Sequence, residues 1–218
     1  LDGIAAITIA EGAANEVSDI LQRMRELAIQ SANDTLTSTE RGYTNQEFGQ
    51  LVTEVDRIAA VTNYNGMDLL SNNTNPGQRF GMASGSVLWV DANETVGQDS
   101  ITITIDTLTA GTTGLNILDD FLTSQTASVN AITALDQAIN SVNTMRANMG
   151  AFINRLDHAI NNLDISNTNQ QAAESLIRDV DFASETSDYT KNQILTQSAT
   201  AMLAQANMIP QSVLQLLS

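Results

Sequence analysis

A narrow apolar stripe runs along the last forty residues of the chain, at the spacing of one face of an α-helix. Small and flexible apolar side chains recur there every three or four positions. A helix with a face of this kind needs a partner to cover it, so the pattern indicates an assembly surface. The stripe comprises Ile194, Leu195, Ala199, Met202, Ala206 and Ile209, with Ile194 and Leu195 as alternatives for its first position.

Three earlier segments have the two-position seam of helices that pack against other helices. We predict these helices at about residues 3–33, 39–62 and 124–166, with Ser38 or Thr39 as the N-cap of the second. A second apolar line beside the first seam predicts that the first helix packs on more than one neighbour. The seams comprise Ala10, Ala13, Val17, Ile20, Met24 and Leu27; Phe48, Leu51, Val55, Ile58 and Thr62; and Ile132, Leu135, Ile139, Val142, Met149, Ile153, Leu156, Ile160 and Leu163.

The third helix has two further features. At 1.5 Å per residue it would be about 65 Å long, which predicts an elongated rod. Arg146 lies in the register of its seam, where it could pair with a carboxylate of a facing helix or extend its stem to water.

The middle of the chain loses the helical period. Alternating residues at 100–105 and an apolar run at 85–90 predict two strands, joined by a turn at 91–97, within a β-hairpin region at about 79–106. Because an isolated hairpin is unstable, it must lie on the helices, with Trp89 as the expected anchor. The predicted fold is mainly α: an elongated antiparallel rod of three long helices with a small β-hairpin region, followed by a C-terminal coiled-coil helix.

The charge and the composition exclude several classes of function. The chain has 25 acidic and 9 basic residues, a formal net charge of −16, so its surface repels nucleic acid and anionic membranes. No apolar run approaches the ~20 residues that a membrane-spanning helix needs. Cysteine is absent, which excludes disulfides, cysteine-based zinc sites and thiol nucleophiles.

The residue types that carry catalysis are sparse. His158 is the only histidine, and the chain has no HExxH pattern of the kind that holds a catalytic zinc ion. The acidic residues between 179 and 188 lack the glycine and terminal glutamate of a calcium loop. We therefore predict that the protein is not an enzyme and has no metal and no cofactor.

Several sequence blocks resemble bacterial flagellin, in the order and spacing of that family. The resemblance implies a rod domain at residues 1–184 and, at 185–218, the C-terminal half of the inner-core coiled-coil domain. It also implies that the family's amino-terminal inner-core helix and its large outer domains are missing. The blocks are DGI at residues 2–4, AEGA at 10–13, LQRMRELAIQSAN at 21–33, EVDRIA at 54–59, YNG at 64–66, DVDFASE at 179–185 and AMLAQANMIPQSVLQLLS at 201–218.

The resemblance further implies a function and partners. The chain would be a structural subunit that polymerises with other flagellin subunits into the extracellular flagellar filament for motility, exported without a cleaved signal peptide. A flagellar export chaperone would bind the C-terminal helix. Toll-like receptor 5 would contact Arg23, Leu27 and Glu47, which could instead make only filament contacts.

Two alternatives remain. A hook–filament junction protein of the same superfamily would share both ends of the chain, but not normally the full motif at residues 21–33. A secreted helical adhesin would share the heptad rods, but not the ordered blocks.

Overall fold

The computed structural model is mainly helical: its described residues form three long helices, small antiparallel β-hairpins and a further long helix near the C-terminal end, which confirms the predicted fold class. It describes residues 1–72, 79–81, 85–90, 99–117 and 122–215, with side chains as far as residue 208. Two compact units are present, residues 1–161 and residues 162–218. The elements are α1 (Asp2–Ser31), α2 (Ser38–Val61), β1 (Asn63–Tyr64), β2 (Met67–Asp68), β3 (Ser86–Trp89), β4 (Ser100–Ile103), α3 (Gln125–Arg178) and α4 (Phe182–Gln215).

The core of the first unit lies along α1. Both apolar lines of this helix turn inward, and Val17, Leu21 and Met24 are fully buried. The helix packs against α2 on one side and is joined to α3 by two ion pairs. Near its amino end, a Cβ built on Gly3 would collide with Leu88 of β3. These contacts confirm that α1 packs on more than one neighbour.

Thr37 caps the start of α2, so the prediction of Ser38 or Thr39 is wrong by one or two residues. Glu40 N donates to Thr37 Oγ1 (3.4 Å), and Thr37 N donates to Glu40 Oε2 (2.8 Å). This reciprocal pair is a capping box, and it satisfies two backbone donors that the helix leaves free. The hydrogen bond from the Thr37 backbone lowers the pKa of Glu40, because it stabilises the charged carboxylate.

Two antiparallel hairpins follow α2. In the first, Tyr64 pairs with Met67 around the two-residue loop Asn65–Gly66. In the second, β3 pairs with β4 within the predicted hairpin region. The predicted turn at 91–97 lies outside the described residues.

Trp89 does not anchor the hairpin, contrary to the prediction. Its side chain is 54% exposed, whereas Leu88 faces α1 at Gly3. Successive side chains of a strand point to opposite faces, so only one of these neighbours could point inward. Leu88 is the anchor.

Helix α3 continues past the expected end at about residue 166, as far as Arg178. Its buried side chains stop at Leu156, and Leu163 is already exposed. The apolar seam therefore marks where α3 is packed, whereas good helix formers such as Ala172, Ala173 and Glu174 extend the helix itself.

Candidate assembly surfaces

Helix α4 presents its apolar stripe to solvent. Every residue from 167 to 208 is exposed, including Ala199 and Ala206. Ile194 and Leu195 are each 57% exposed and Met202 is 71% exposed. The side chain of Ile209 lies outside the described residues. The stripe is thus an uncovered apolar helix face, and covering it would remove this surface from water.

Local hydrogen bonds lie along the exposed length of α4. Asp181 Oδ1 accepts from the backbone N–H groups of Ala183 (2.9 Å) and Ser184 (3.4 Å) at the start of the helix. Farther along, the hydroxyls of Thr186, Thr190 and other threonines donate to carbonyls of the preceding turn. The bonds to Asp181 cap one end of the helix, whereas the apolar side chains of the stripe remain exposed to solvent.

The part of α4 that carries the stripe has no charged side chains. Lys191, the only lysine, is the last residue with an ionisable side chain, and residues 192–218 contain none. Burying this part of the helix therefore desolvates no charged side chain, which is the main cost that opposes burial of polar surfaces.

Arg23 and Glu47 form an ion pair between α1 and α2. Arg23 Nη2 and Nε donate to Glu47 Oε1 at 2.8 and 3.0 Å, and Arg23 Nη1 donates to Glu26. The hydrogen bond to Glu47 is the main reason why the pKa of Arg23 is raised. Both side chains are about half exposed.

Leu27 does not join this exposed pair. A receptor surface that includes all three residues would require Leu27 to be exposed, yet Leu27 is only 2% exposed. It belongs to the seam of α1 and is buried in the core. Leu27 is therefore not part of this surface, which consists of Arg23 and Glu47 with Glu26 beside them.

Two ion pairs join α1 to α3, and the spacing of residues within either helix does not predict them. Arg146 Nη2 donates to Glu11 Oε1 (2.9 Å), which decides between the two predicted roles of Arg146 in favour of the ion pair. Arg25 Nε donates to Asp136 Oδ1 (2.7 Å). The partners lie 135 and 111 positions apart in the sequence, so heptad spacing could not identify them.

A side-chain amide and a carboxylate also tie loops to α2. Asn45 Oδ1 accepts from Leu122 N, and Asp56 Oδ1 accepts from Ala110 N, both at 2.8 Å. These bonds hold the segments that lead from the second hairpin into α3.

The described residues offer little to catalysis. The groove beside Lys191 is lined by residues of α4 alone, so it is a surface of one helix and not an enclosed pocket. His158 is exposed, and in the described parts of the chain no three acidic or histidine residues are grouped to hold a metal ion. None of the helices searched among these residues combines the length and hydropathy of a membrane span.

Comparisons with known proteins match both ends of the chain, where the sequence blocks described above lie. The family model "bacterial flagellin N-terminal helical region" matches residues 1–75, and "bacterial flagellin C-terminal helical region" matches residues 132–217. Flagellin FlaB2 of Treponema pallidum is 43% identical over 99% of this chain and 76% of its own length. A flagellin of Halalkalibacterium halodurans is 44% identical over 99% of this chain and 75% of its own length.

A solved structure extends the similarity to the fold. The crystal structure of Bacillus cereus flagellin matches with a TM-score of 0.62 and 31% identity, over 79% of this chain and 92% of that one.

Proposed function

The chain belongs to the bacterial flagellin family, and from this premise we propose that it polymerises with copies of itself into the flagellar filament that drives motility. One observation carries the proposal: the first unit closes its own core, whereas α4 keeps a regular apolar stripe in solvent. A surface of this kind favours a helical partner, and a polymer provides the same partner for every subunit.

The energetics suit an open polymer. A head-to-tail interface whose rotation does not close a ring generates a filament. Each apolar Å² buried contributes about 25 cal/mol, and a stripe free of ionisable side chains keeps most of that gain. The net charge of −16 opposes association, but salt at 0.1 M screens exposed charges beyond about 10 Å.

The same stripe must be covered before assembly. An exposed apolar helix is an aggregation hazard in a concentrated cell interior. A flagellar export chaperone that binds α4 along Leu195, Ala199 and Met202 would cover the stripe inside the cell and release the subunit for export. The family membership and the exposure of these side chains support this partner and this location.

Electron microscopy of cells tests the filament proposal. The subunit that carries this sequence is expressed in a flagellated bacterium whose own filament protein has been deleted. Long filaments and restored swimming are expected. A junction protein would leave the cells without long filaments, and an adhesin would appear at the surface without restoring movement; either result would overturn the proposal.

A second surface supports a further proposal, that Arg23 and Glu47 contact a partner outside the subunit, either toll-like receptor 5 or a neighbouring subunit. Their pairing across α1 and α2 holds an arginine in a fixed orientation at the surface. A preorganised arginine loses little freedom on binding, and arginine is enriched among the residues that dominate interfaces.

Removing the pair tests this proposal. In the Arg23→Ala, Glu47→Ala variant we expect receptor activation, measured in reporter cells, to fall by about tenfold, as for the loss of about 1.4 kcal/mol at an interface. The matched control is Glu54→Ala, Arg57→Ala, which removes another exposed ion pair of α2. Equal activation by the two variants would reject the receptor assignment, and filament yield would report separately on a subunit contact.

A further inference from the structure

The turn between β1 and β2 holds the only Asn–Gly dipeptide of the chain, Asn65–Gly66. Both residues are exposed, and both have positive φ, 51° at Asn65 and 76° at Gly66. These angles fit a type I′ turn, the usual two-residue hairpin connection. A Cβ built on Gly66 would meet no atom within 4 Å, so water reaches this backbone freely.

We propose that Asn65 is a site of spontaneous deamidation, controlled by opening of the β1–β2 turn. After losing its proton to hydroxide, the backbone nitrogen of Gly66 attacks Cγ of Asn65. A C–N bond forms, the Cγ–Nδ2 bond breaks, and ammonia leaves with a proton from water. Water then opens the five-membered succinimide at either carbonyl and leaves an aspartate or an isoaspartate at position 65.

Three local features favour this reaction over reaction at other asparagines. Gly66 has no side chain to hinder its nitrogen. Within the described part of the chain, no hydrogen bond holds the Asn65 amide, whereas that of Asn63 donates to the carbonyl of Val61 (3.0 Å). The hairpin itself consists of two residue pairs, which is too little to be stable without its surroundings.

The closed turn slows the reaction. In a type I′ turn the backbone of the first central residue is left-handed, with ψ near +30°, and this directs the next nitrogen away from the side chain. Succinimide formation therefore requires the Tyr64–Met67 pair to open first. Local openings of this kind occur at a free energy well below that of global unfolding, so the site remains reactive in the folded protein.

The product alters the first unit. Isoaspartate places an extra carbon in the main chain, and a two-residue loop has no room for it. Just beyond β2 lie Leu69, whose N–H donates to the Thr62 carbonyl (3.1 Å), and Leu70; both are fully buried. Conversion therefore disturbs the point where α2 passes into the hairpins.

Peptide mapping by mass spectrometry after incubation in mildly alkaline buffer tests the proposal. The folded chain is compared with the chain in urea and with a free peptide of residues 60–70. We expect Asn65 to convert at least about tenfold faster than Asn140, an exposed asparagine before Ser141 within α3, with isoaspartate among the products. Unfolding in urea should accelerate conversion about tenfold or more, because the turn no longer has to open.

Two results would overturn the proposal. The first is an Asn65 that keeps its amide in the folded chain after the free peptide has converted completely. The second is an Asn140 that converts as fast as Asn65. The Asn65→Asp variant is the control for structure, because aspartate tolerates the left-handed turn. If this variant unfolds thermally like the unmodified chain while the isoaspartate fraction unfolds earlier, the extra backbone carbon and not the added charge is responsible.

Discussion

A subunit with Leu195→Asp and Met202→Asp is expected to lose polymerisation while its first unit keeps its stability. Both side chains are solvated in the isolated chain, so charge at these positions leaves the monomer undisturbed. In the polymer each carboxylate would lie in an apolar contact, at a cost of several kcal/mol. We therefore expect the critical concentration, measured by sedimentation, to rise at least about a hundredfold, which corresponds to about 2.8 kcal/mol per subunit.

The matched control adds the same charge to the opposite face of α4. Gln197 and Ala204 lie roughly half a turn away from the stripe and are also exposed, so Gln197→Asp with Ala204→Asp changes net charge and helix propensity to a similar extent. If both variants polymerise equally poorly, net charge is the cause. Normal filaments from the Leu195→Asp, Met202→Asp variant would exclude the stripe as an assembly surface.

Phe48→Ala should be the most damaging single substitution for the stability of the first unit. The ring projects from α2 into the core and is 1% exposed. Truncating a buried phenylalanine removes its transfer free energy and leaves a cavity, together about 3–5 kcal/mol. For a unit of this size we expect the midpoint of the cooperative unfolding transition, followed by circular dichroism, to fall by about 10 °C.

Tyr43→Ala provides the comparison for that measurement. Tyr43 lies on the same helix and loses a similar ring, but its side chain is 69% exposed. Surface substitutions of this kind change stability by about 0.5 kcal/mol or less. Similar midpoints for the Phe48→Ala and Tyr43→Ala variants would show that Phe48 does not support the core.

Much of the helical architecture follows from periodicity. The seams of α1 and α2 predicted which faces are buried, because residues spaced three or four positions apart lie on one face of a helix and are buried together. The same reasoning failed at the end of α3. There the helix outlasts its seam, since hydrogen bonds within the backbone do not depend on burial.

The candidate surfaces were only partly predictable. The apolar stripe of α4 could be identified from the sequence alone, because all of its residues lie on one helix. The burial of Leu27 follows from its place in the predicted seam of α1. The pairing of Arg23 with Glu47 joins two helices, so no spacing within one helix could predict it. The prediction that Trp89 anchors the hairpin was wrong because the alternation of residues along a strand does not show which face of the strand is buried.

Residues 192–218 contain no ionisable side chain, so this segment and the rest of the chain differ in how their contacts in the polymer respond to pH. Bringing these segments together takes up and releases no side-chain protons, so by linkage their association constant is independent of pH. Any acid-induced disassembly must then originate in ionisable groups outside residues 192–218. Titrating a filament would thus probe contacts made by residues 1–191 and leave contacts of the apolar stripe unaffected.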